Sequence, residues 1–275
     1  MAERYRGPDY LAALSGGPPP EPLLHPDPLH PPWLYRLVVW LIKHVLPLLF
    51  RVELVGLRHL PSGPFILASN HQRWLDPLFI AMALPNRPMV YSMARRDTVF
   101  NRRWKRWLVP RLGVFPIAPS HGGALDQQGV ATVYRLLAAG AVVLIFPEGR
   151  YSRGRELRPL REGIAHFALQ SGVPIVPVAL EGVDRLRLRG RVRVSVGRPL
   201  YPDPPGWWSL QRSVSRTVES VRAAILRSFG RDADAPRRPG GWRRLLRRLS
   251  GRSGRRNPPP ENPPPGGSFE GRAAE

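Results

Sequence analysis

The 275-residue chain contains no cysteine, which excludes disulfides, thiolate nucleophiles and cysteine-ligated metal sites. This absence leaves the redox compartment open, because a chain without cysteine suits either setting. Acidic residues are scarce: 20 Asp and Glu stand against 42 Lys and Arg, for a formal net charge of +22. We therefore expect polyanionic partners, namely phospholipid surfaces, nucleic acid or acidic proteins.

The sequence also lacks an apolar run long enough to span a bilayer. Its most hydrophobic stretch, residues 34–50, is interrupted by Arg36, Lys43, His44 and Pro47, whereas a span needs about 20 apolar residues. On a helix, Arg36 and Lys43 fall on one side and an apolar stripe falls on the other. The stripe consists of Leu34, Leu37, Leu41, Val45 and Leu48. Two interpretations stay open: a helix lying in a membrane interface, or an amphipathic helix packed on the domain itself.

Both ends of the chain are biased in composition and are predicted to be disordered. Residues 1–32 lack the apolar core of a signal peptide and are rich in proline. Residues 230–275 are basic and rich in Pro and Arg, and cation pairs alternate with apolar residues over 242–249. We predict that this tail helps to hold the protein on acidic lipid, and a solvated basic tail without a dedicated partner is the alternative. We predict one domain over residues 33–229, including the helix at 34–50.

The candidate reaction centre follows an apolar strand at residues 65–69. Asn70 and His71 come next, and Asp76 lies five residues beyond the histidine. On an unbroken helix such residues point about 140° apart, so the pair needs a turn between its members. If the turn brings Asp76 to one imidazole nitrogen, the carboxylate fixes the tautomer, and the other nitrogen can take a proton from a substrate hydroxyl.

The dipeptide Asp76-Pro77 also has the pattern of a helix start. Asp76 would be the N-cap and Pro77 the first helical residue. This segment alone therefore leaves a second interpretation open, in which His71 is an ordinary turn residue and Asp76 serves only as the cap.

Strand and helix patterns alternate through the middle of the chain, which predicts an α/β fold with a mixed, mostly parallel sheet flanked by helices. The predicted strands are 52–55, 64–69, 89–93, 113–117, 141–146, 174–180 and 191–196. The predicted helices are 77–84, 125–139, 161–171 and 210–229, besides the helix at 34–50.

Three sequence blocks occur in order along this fold. They are Asn70-His71 with Asp76, then Phe146-Pro147-Glu148-Gly149, then the Val-Pro block at 173–178. Together they resemble the glycerolipid acyltransferase family, the lysophosphatidic acid acyltransferase-like enzymes, over residues 33–199. The resemblance implies transfer of a fatty acyl group from acyl-CoA or acyl-ACP to a lysophospholipid hydroxyl, without a further cofactor. It makes His71 the base and Asp76 its orienting partner.

The resemblance also implies that Glu148 and Gly149 contact the glycerol and phosphate of the acceptor. Arg150 and Arg153 follow closely, and a guanidinium fork matches phosphate oxygens, so both are candidate phosphate-binding residues. The alternative for this block is a strand-to-loop exit with a solvated Glu148.

Two positions depart from the family pattern. Pro119 stands where the second block usually ends in an Arg that binds the acceptor phosphate. The family often has Thr-Arg-Ser after Phe-Pro-Glu-Gly, whereas this chain has Arg150-Tyr151-Ser152. Phosphate recognition is therefore either moved to Arg150 and Arg153 or altered, which leaves the acceptor headgroup open.

Other classes of function explain fewer of these residues. The Trp- and Arg-rich segment 102–107 suits a lipid headgroup layer or nucleic acid, but no nucleic-acid-binding motif accompanies it, and such a protein would leave His71, Asp76 and Glu148 without a role. A lipid hydrolase would need a serine motif that is missing. No metal site is expected, since His71 and Asp76 lack a third ligand. We expect a peripheral or monotopic enzyme on the cytoplasmic face of an anionic phospholipid membrane.

Overall fold

The computed structural model describes residues 24, 25, 27–118, 127–202 and 210–229. Its strands are β1 Arg51–Val55, β2 Phe65–Ser69, β3 Val90–Arg95, β4 Val114–Ile117, β5 Val142–Ile145, β6 Ile175–Glu181 and β7 Arg191–Val196. Its helices are α1 Trp33–Leu49, α2 Asp76–Ala83, α3 Arg96–Val99, α4 Arg103–Leu108, α5 Gln127–Ala138, α6 Gly163–Ser171 and α7 Leu210–Ser228. Short 3-10 segments lie at Leu57–His59 and Pro110–Leu112.

The strands form one seven-stranded sheet in the order β1-β7-β6-β2-β5-β3-β4. The five strands from β6 to β4 are parallel to one another. β7 is antiparallel to β6, and β1 is parallel to β7. The predicted mixed, mostly parallel sheet is therefore confirmed. Since parallel strands end at the same edge of a sheet, the loops after β2, β5 and β6 meet at one edge, which we call the carboxyl edge.

Helices cover both faces of the sheet because its central strand is apolar on both sides. All five residues of β2 are buried. Phe65 and Leu67 pack with Phe79 of α2 on one face, while Ile66 and Ala68 pack with residues of α5, α6 and α7 on the other. Successive side chains of a strand point to opposite faces, so this one strand anchors both halves of the core.

The helix predicted at 34–50 is α1, and its apolar stripe is exposed except for Leu34, which is half-buried. It packs on the domain through other residues: Tyr35 and Val39 are buried, and Lys43 Nζ donates to the Leu84 carbonyl at 2.7 Å and to Asn86 Oδ1 at 2.8 Å. Burial of the Lys43 amine lowers its pKa. The exposed apolar side chains are Trp33, Leu37, Trp40, Leu41, Val45, Leu48 and Leu49. Within the described ranges, no helix has both the length and the apolarity needed to cross a membrane.

The prediction of disorder for residues 1–32 is wrong at the end of that segment. Leu24 is buried, the His25 carbonyl accepts a hydrogen bond from the Tyr91 hydroxyl at 2.7 Å, and the Pro28 carbonyl accepts one from the Met89 N–H at 2.6 Å. These partners lie far along the chain, where composition gives no signal of them. The predictions for residues 1–23, for Pro119 and for residues 230–275 concern positions outside the described residues.

Candidate active site

The turn after β2 brings His71 and Asp76 together at the carboxyl edge. The His71 Nδ1 lies 2.7 Å from Asp76 Oδ2, and the Asp76 side chain is fully buried while that of His71 is 18% exposed. The same oxygen accepts the backbone N–H groups of Gln72, at 2.5 Å, and Arg73, at 2.9 Å. An ionised carboxylate only accepts hydrogen bonds, so Nδ1 carries the proton and Nε2 of the neutral ring is basic.

The N-cap interpretation of Asp76 is wrong. Asp76 is the first residue of α2 and Pro77 the second, while Leu75 precedes the helix and makes no side-chain cap. The Asp76 carboxylate instead turns back onto the preceding turn, where the imidazole and two backbone N–H groups share its charge. The alternative in which Asp76 only caps a helix therefore does not describe this site.

The loop after β5, residues 146–153, holds the backbone of His71 on both sides. Glu148 Oε1 accepts the His71 N–H at 2.9 Å, and the Ser152 N–H donates to the His71 carbonyl at 2.6 Å. Glu148 Oε2 accepts the Arg158 N–H at 2.8 Å. The Ser152 hydroxyl lies 3.2 Å from both the His71 carbonyl and Glu148 Oε1. The backbone of the candidate base is thus fixed by a single loop.

Glu148 is buried rather than solvated, so that alternative interpretation is wrong. Burial raises the pKa of its carboxyl, and the hydrogen bonds from Arg158, His71 and Ser152 oppose this rise. Both carboxylate oxygens are engaged with protein groups, which makes Glu148 a positioning residue for His71. Its contact with an acceptor stays a prediction.

Gly149 is required by its backbone conformation and by a close neighbour. Its φ is +66°, and a Cβ at this position would lie 2.5 Å from the Arg161 Nε. Arg150 and Arg153, which the sequence predicts to bind phosphate, are exposed on the same loop. Arg150 and Arg153 therefore lie on the loop that carries Glu148 and Ser152, and binding of phosphate by them stays a prediction.

The sequence analysis assigned no role to two polar residues of the turn, Asn70 and Gln72. Asn70 is fully buried and forms a pair of bonds with the Leu180 backbone, donating to its carbonyl at 2.9 Å and accepting its N–H at 2.7 Å. Gln72 donates to the Gly154 carbonyl at 2.8 Å and accepts the Val183 N–H at 3.0 Å. These bonds fasten the His71 turn to β6 and to the loops after β5 and β6.

Aromatic rings surround part of the imidazole. Phe146 stacks on it with ring centroids 3.9 Å apart and an interplanar angle of 17°, and Tyr151 contacts it at 4.4 Å and 56°. The His71 Nε2 has no hydrogen-bond partner among the described residues. In the same part of the chain, no three His, Asp or Glu side chains are grouped to hold a metal ion. The arrangement can accept a proton at Nε2 while Asp76 stabilises the resulting imidazolium.

The chain is similar in sequence to known acyltransferases. Residues 51–181 match the family model Acyltransferase. The chain is 28% identical over 166 residues to the 1-acyl-sn-glycerol-3-phosphate acyltransferase BAT2, chloroplastic, of Brassica napus, covering 55% of this chain and 46% of the relative. It is 28% identical over 214 residues to 1-acyl-sn-glycerol-3-phosphate acyltransferase alpha of Homo sapiens, covering 76% and 73%. It is 30% identical over 146 residues to the lyso-ornithine lipid O-acyltransferase of Pseudomonas aeruginosa, covering 51% of each.

The fold also has a counterpart among solved structures. The crystal structure of the 1-acyl-sn-glycerophosphate (LPA) acyltransferase PlsC from Thermotoga maritima aligns with a TM-score of 0.52 at 19% identity, over 72% of this chain and 81% of that chain. At this identity the likeness supports the fold alone. The chain spans only 46% of the plant relative's length, although it covers most of the human one. Residues 51–181 are thus similar to the Acyltransferase family, and the curated proteins that the chain resembles include 1-acyl-sn-glycerol-3-phosphate acyltransferases.

Proposed function

We propose that this protein is an O-acyltransferase that moves a fatty acyl group from an acyl thioester to a lysophospholipid hydroxyl, in glycerolipid synthesis or remodelling. The observation that carries the proposal is the 2.7 Å pair of His71 and buried Asp76, with Nε2 left without a partner among the described residues. The similarity of residues 51–181 to acyltransferases supports a role of this pair in acyl transfer, so a nucleic-acid-binding protein without catalysis is not proposed.

In the proposed mechanism, His71 is a general base and the protein supplies no nucleophile. The acceptor hydroxyl gives its proton to Nε2 as its oxygen bonds to the thioester carbonyl carbon. The C–S bond then breaks, and the leaving thiolate takes the proton back from the imidazolium. The products are an ester and a free thiol. A thioester is already activated, so correct placement of the two reactants and one base is sufficient. No cofactor beyond the acyl thioester is required.

The acceptor is proposed to be lysophosphatidic acid or a related glycerolipid. Arg150 and Arg153 are exposed cations on the loop that holds His71, and guanidinium groups bind phosphate oxygens in a bidentate manner. The relatives are named for 1-acyl-sn-glycerol-3-phosphate and for lyso-ornithine lipid, so the headgroup varies among similar proteins. The donor is proposed to be acyl-CoA or acyl carrier protein.

Acyl transfer by the purified protein on liposomes tests this proposal. A labelled acyl thioester is offered with a panel of lysophospholipids to the wild type, to His71→Ala, and to the control His59→Ala. His59 follows β1 at the opposite edge of the sheet from His71. We expect His71→Ala to lose about a hundredfold or more, the range for a removed general base, and His59→Ala to stay active. Absence of transfer to every acceptor, or full activity of His71→Ala, would overturn the proposal.

We also propose that α1 docks the enzyme on an anionic phospholipid surface. The exposed apolar side chains of α1 support this, as does α4, where Trp104 and Trp107 are exposed among cations. Burial of one leucine contributes about 1.5–3 kcal/mol, and each basic residue near an anionic surface adds about 1 kcal/mol. The end of α1 lies at the carboxyl edge, because β1 begins there, so docking would bring the His71 site to the lipid surface.

Co-sedimentation with vesicles tests the docking surface. We expect the double substitution Leu41→Glu with Leu48→Glu to reduce the fraction bound to anionic vesicles severalfold. The control Leu226→Glu changes a similarly exposed leucine on α7 and should bind as the wild type does. Equal binding by all three proteins would contradict the role of α1. Placement on the cytoplasmic face remains part of the proposal.

A further inference from the structure

The loop over residues 146–153 places one side chain against the imidazole in a fixed position. Glu148 and Ser152 bond to the N–H and the carbonyl of His71, so the short segment between them is tied to the backbone of the base at both ends. Tyr151 belongs to this segment, and its ring centroid lies 4.4 Å from that of the imidazole. The segment that carries Tyr151 is therefore held at one end by the Glu148 carboxylate and at the other by the Ser152 backbone N–H.

Tyr151 differs from the other ring at the site in its exposure. Phe146 is partly buried, whereas Tyr151 is 54% exposed. Because Tyr151 contacts an imidazole that is itself only 18% exposed, it covers part of that ring from solvent. Partial burial, and after it the negative charge of Asp76, raise the pKa of the phenol, which therefore stays neutral at ordinary pH. The exposed cations Arg150 and Arg153 are its neighbours on the loop.

We propose that Tyr151 is a positioning residue: its ring holds the His71 imidazole in the orientation that Asp76 sets and limits the access of water to it. This inference rests on the proposed function, since His71 must be the base. It concerns this chain in particular, because Tyr151 stands where the resembling family often has an Arg. A neutral ring cannot pair with phosphate as an Arg does, but it can pack against imidazole.

Access of water matters because water competes for the same base. If water replaces the acceptor hydroxyl, its proton passes to Nε2, its oxygen bonds to the thioester carbonyl carbon, and the C–S bond breaks. The thiolate recovers the proton from the imidazolium, so the products are a free fatty acid and a thiol. Transfer and hydrolysis share one donor and one base, and the ratio of ester to free acid therefore reports how well the site excludes water.

The experiment compares the wild type with Tyr151→Phe, Tyr151→Ala and the control Tyr201→Ala. Tyr201 is a 72% exposed tyrosine that follows β7 at the other edge of the sheet. Ester, free fatty acid and thiol are quantified from one labelled acyl thioester on liposomes with a lysophospholipid acceptor. We expect Tyr151→Ala to lower kcat for transfer by about twofold to tenfold, the range for one lost aromatic contact. We expect its share of free acid to rise and its acceptor KM to stay near the wild-type value.

The controls separate this role from others. Tyr151→Phe keeps the ring and should match the wild type in both kcat and product ratio, as should Tyr201→Ala. A Tyr151→Ala enzyme with wild-type kcat and product ratio would overturn the inference, and so would a change confined to the acceptor KM or an equal loss in Tyr151→Phe. If His71→Ala abolishes transfer while Tyr151→Ala has no effect, only this inference fails. An active His71→Ala would instead remove the proposed function.

Discussion

Replacement of Glu148 tests whether the loop at 146–153 holds the base in place. The buried carboxylate accepts the N–H of His71 at 2.9 Å and that of Arg158 at 2.8 Å. Glu148→Ala leaves both donors without an acceptor, and an unpaired buried donor costs about 1–3 kcal/mol. Both bonds are only partly buried, so the lower part of that range applies to each. We expect the free energy of unfolding to fall by about 2–3 kcal/mol, out of the roughly 5–15 kcal/mol typical of a domain.

Glu148→Gln should destabilise the protein less than Glu148→Ala does. The amide oxygen still accepts a hydrogen bond from one backbone N–H, whereas the amide NH2 faces the other N–H donor and cannot accept from it. We expect about half of the destabilisation. Urea unfolding measures the free energies, and initial rates of acyl transfer give kcat and the acceptor KM in the same preparations. A displaced base affects every turnover, so kcat should fall while KM changes little. Glu219→Ala, at an exposed position on α7, is the control for loss of a carboxylate.

The result that would refute this reasoning is a Glu148→Ala enzyme with wild-type stability and a raised acceptor KM alone. Glu148 would then contact the acceptor, as the family resemblance implies, and its bonds to the His71 and Arg158 backbone would be of little consequence. A loss of stability together with a lower kcat would support the role of Glu148 in positioning His71.

Three further outcomes are expected. Asp76→Asn removes the charge that stabilises the His71 imidazolium, so kcat should fall by about a hundredfold or more in the acyl-transfer assay, and a wild-type kcat would contradict the pairing. Asn70→Ala leaves the fully buried N–H and carbonyl of Leu180 unpaired, so urea unfolding should show a loss of roughly 2–6 kcal/mol, and a loss below about 0.5 kcal/mol would be inconsistent with those bonds. Burial raises the pKa of Glu148 above its ordinary 4.5, so the folded protein binds a proton at Glu148 more tightly than the unfolded chain does, and protonation of Glu148 stabilises the folded state. The unfolding free energy of the wild type minus that of Glu148→Gln should therefore decrease as pH rises from below 4.5 through the raised pKa; a difference that is flat with pH would refute this.

Local features of the site can be predicted from the sequence because they depend on short stretches of the chain. His71 and Asp76 lie five residues apart in one turn, so any turn that reverses the chain there brings them within reach. The strand predicted at 191–196 has the same bounds as β7, since its alternating pattern is bounded by glycines. The mostly parallel character of the sheet follows from the alternation of strand and helix, whereas the reversed direction of β1 and β7 does not.

The remainder of the site depends on contacts between distant parts of the chain. Glu148 is 77 residues from His71, and Leu180 is 110 residues from Asn70. Periodicity identifies a buried face but does not identify the backbone group that a polar side chain will meet. For the same reason the angles of α1 separate its two sides without showing which one packs on the domain. The side that packs carries Tyr35, Val39 and Lys43, and the Lys43 amine finds its acceptors at Leu84 and Asn86.

Because residues 146–153 bond to the His71 backbone, catalytic activity should also depend on how far the sheet has folded. The N–H and the carbonyl of His71 find their partners only when β5 has paired with β2, because the loop that carries Glu148 and Ser152 leaves directly from the end of β5. A nascent or partly folded chain that has closed the His71 turn still lacks this support. During refolding, recovery of acyl transfer should therefore follow pairing of the two central strands and not formation of the turn, which makes turnover a probe of β2–β5 pairing.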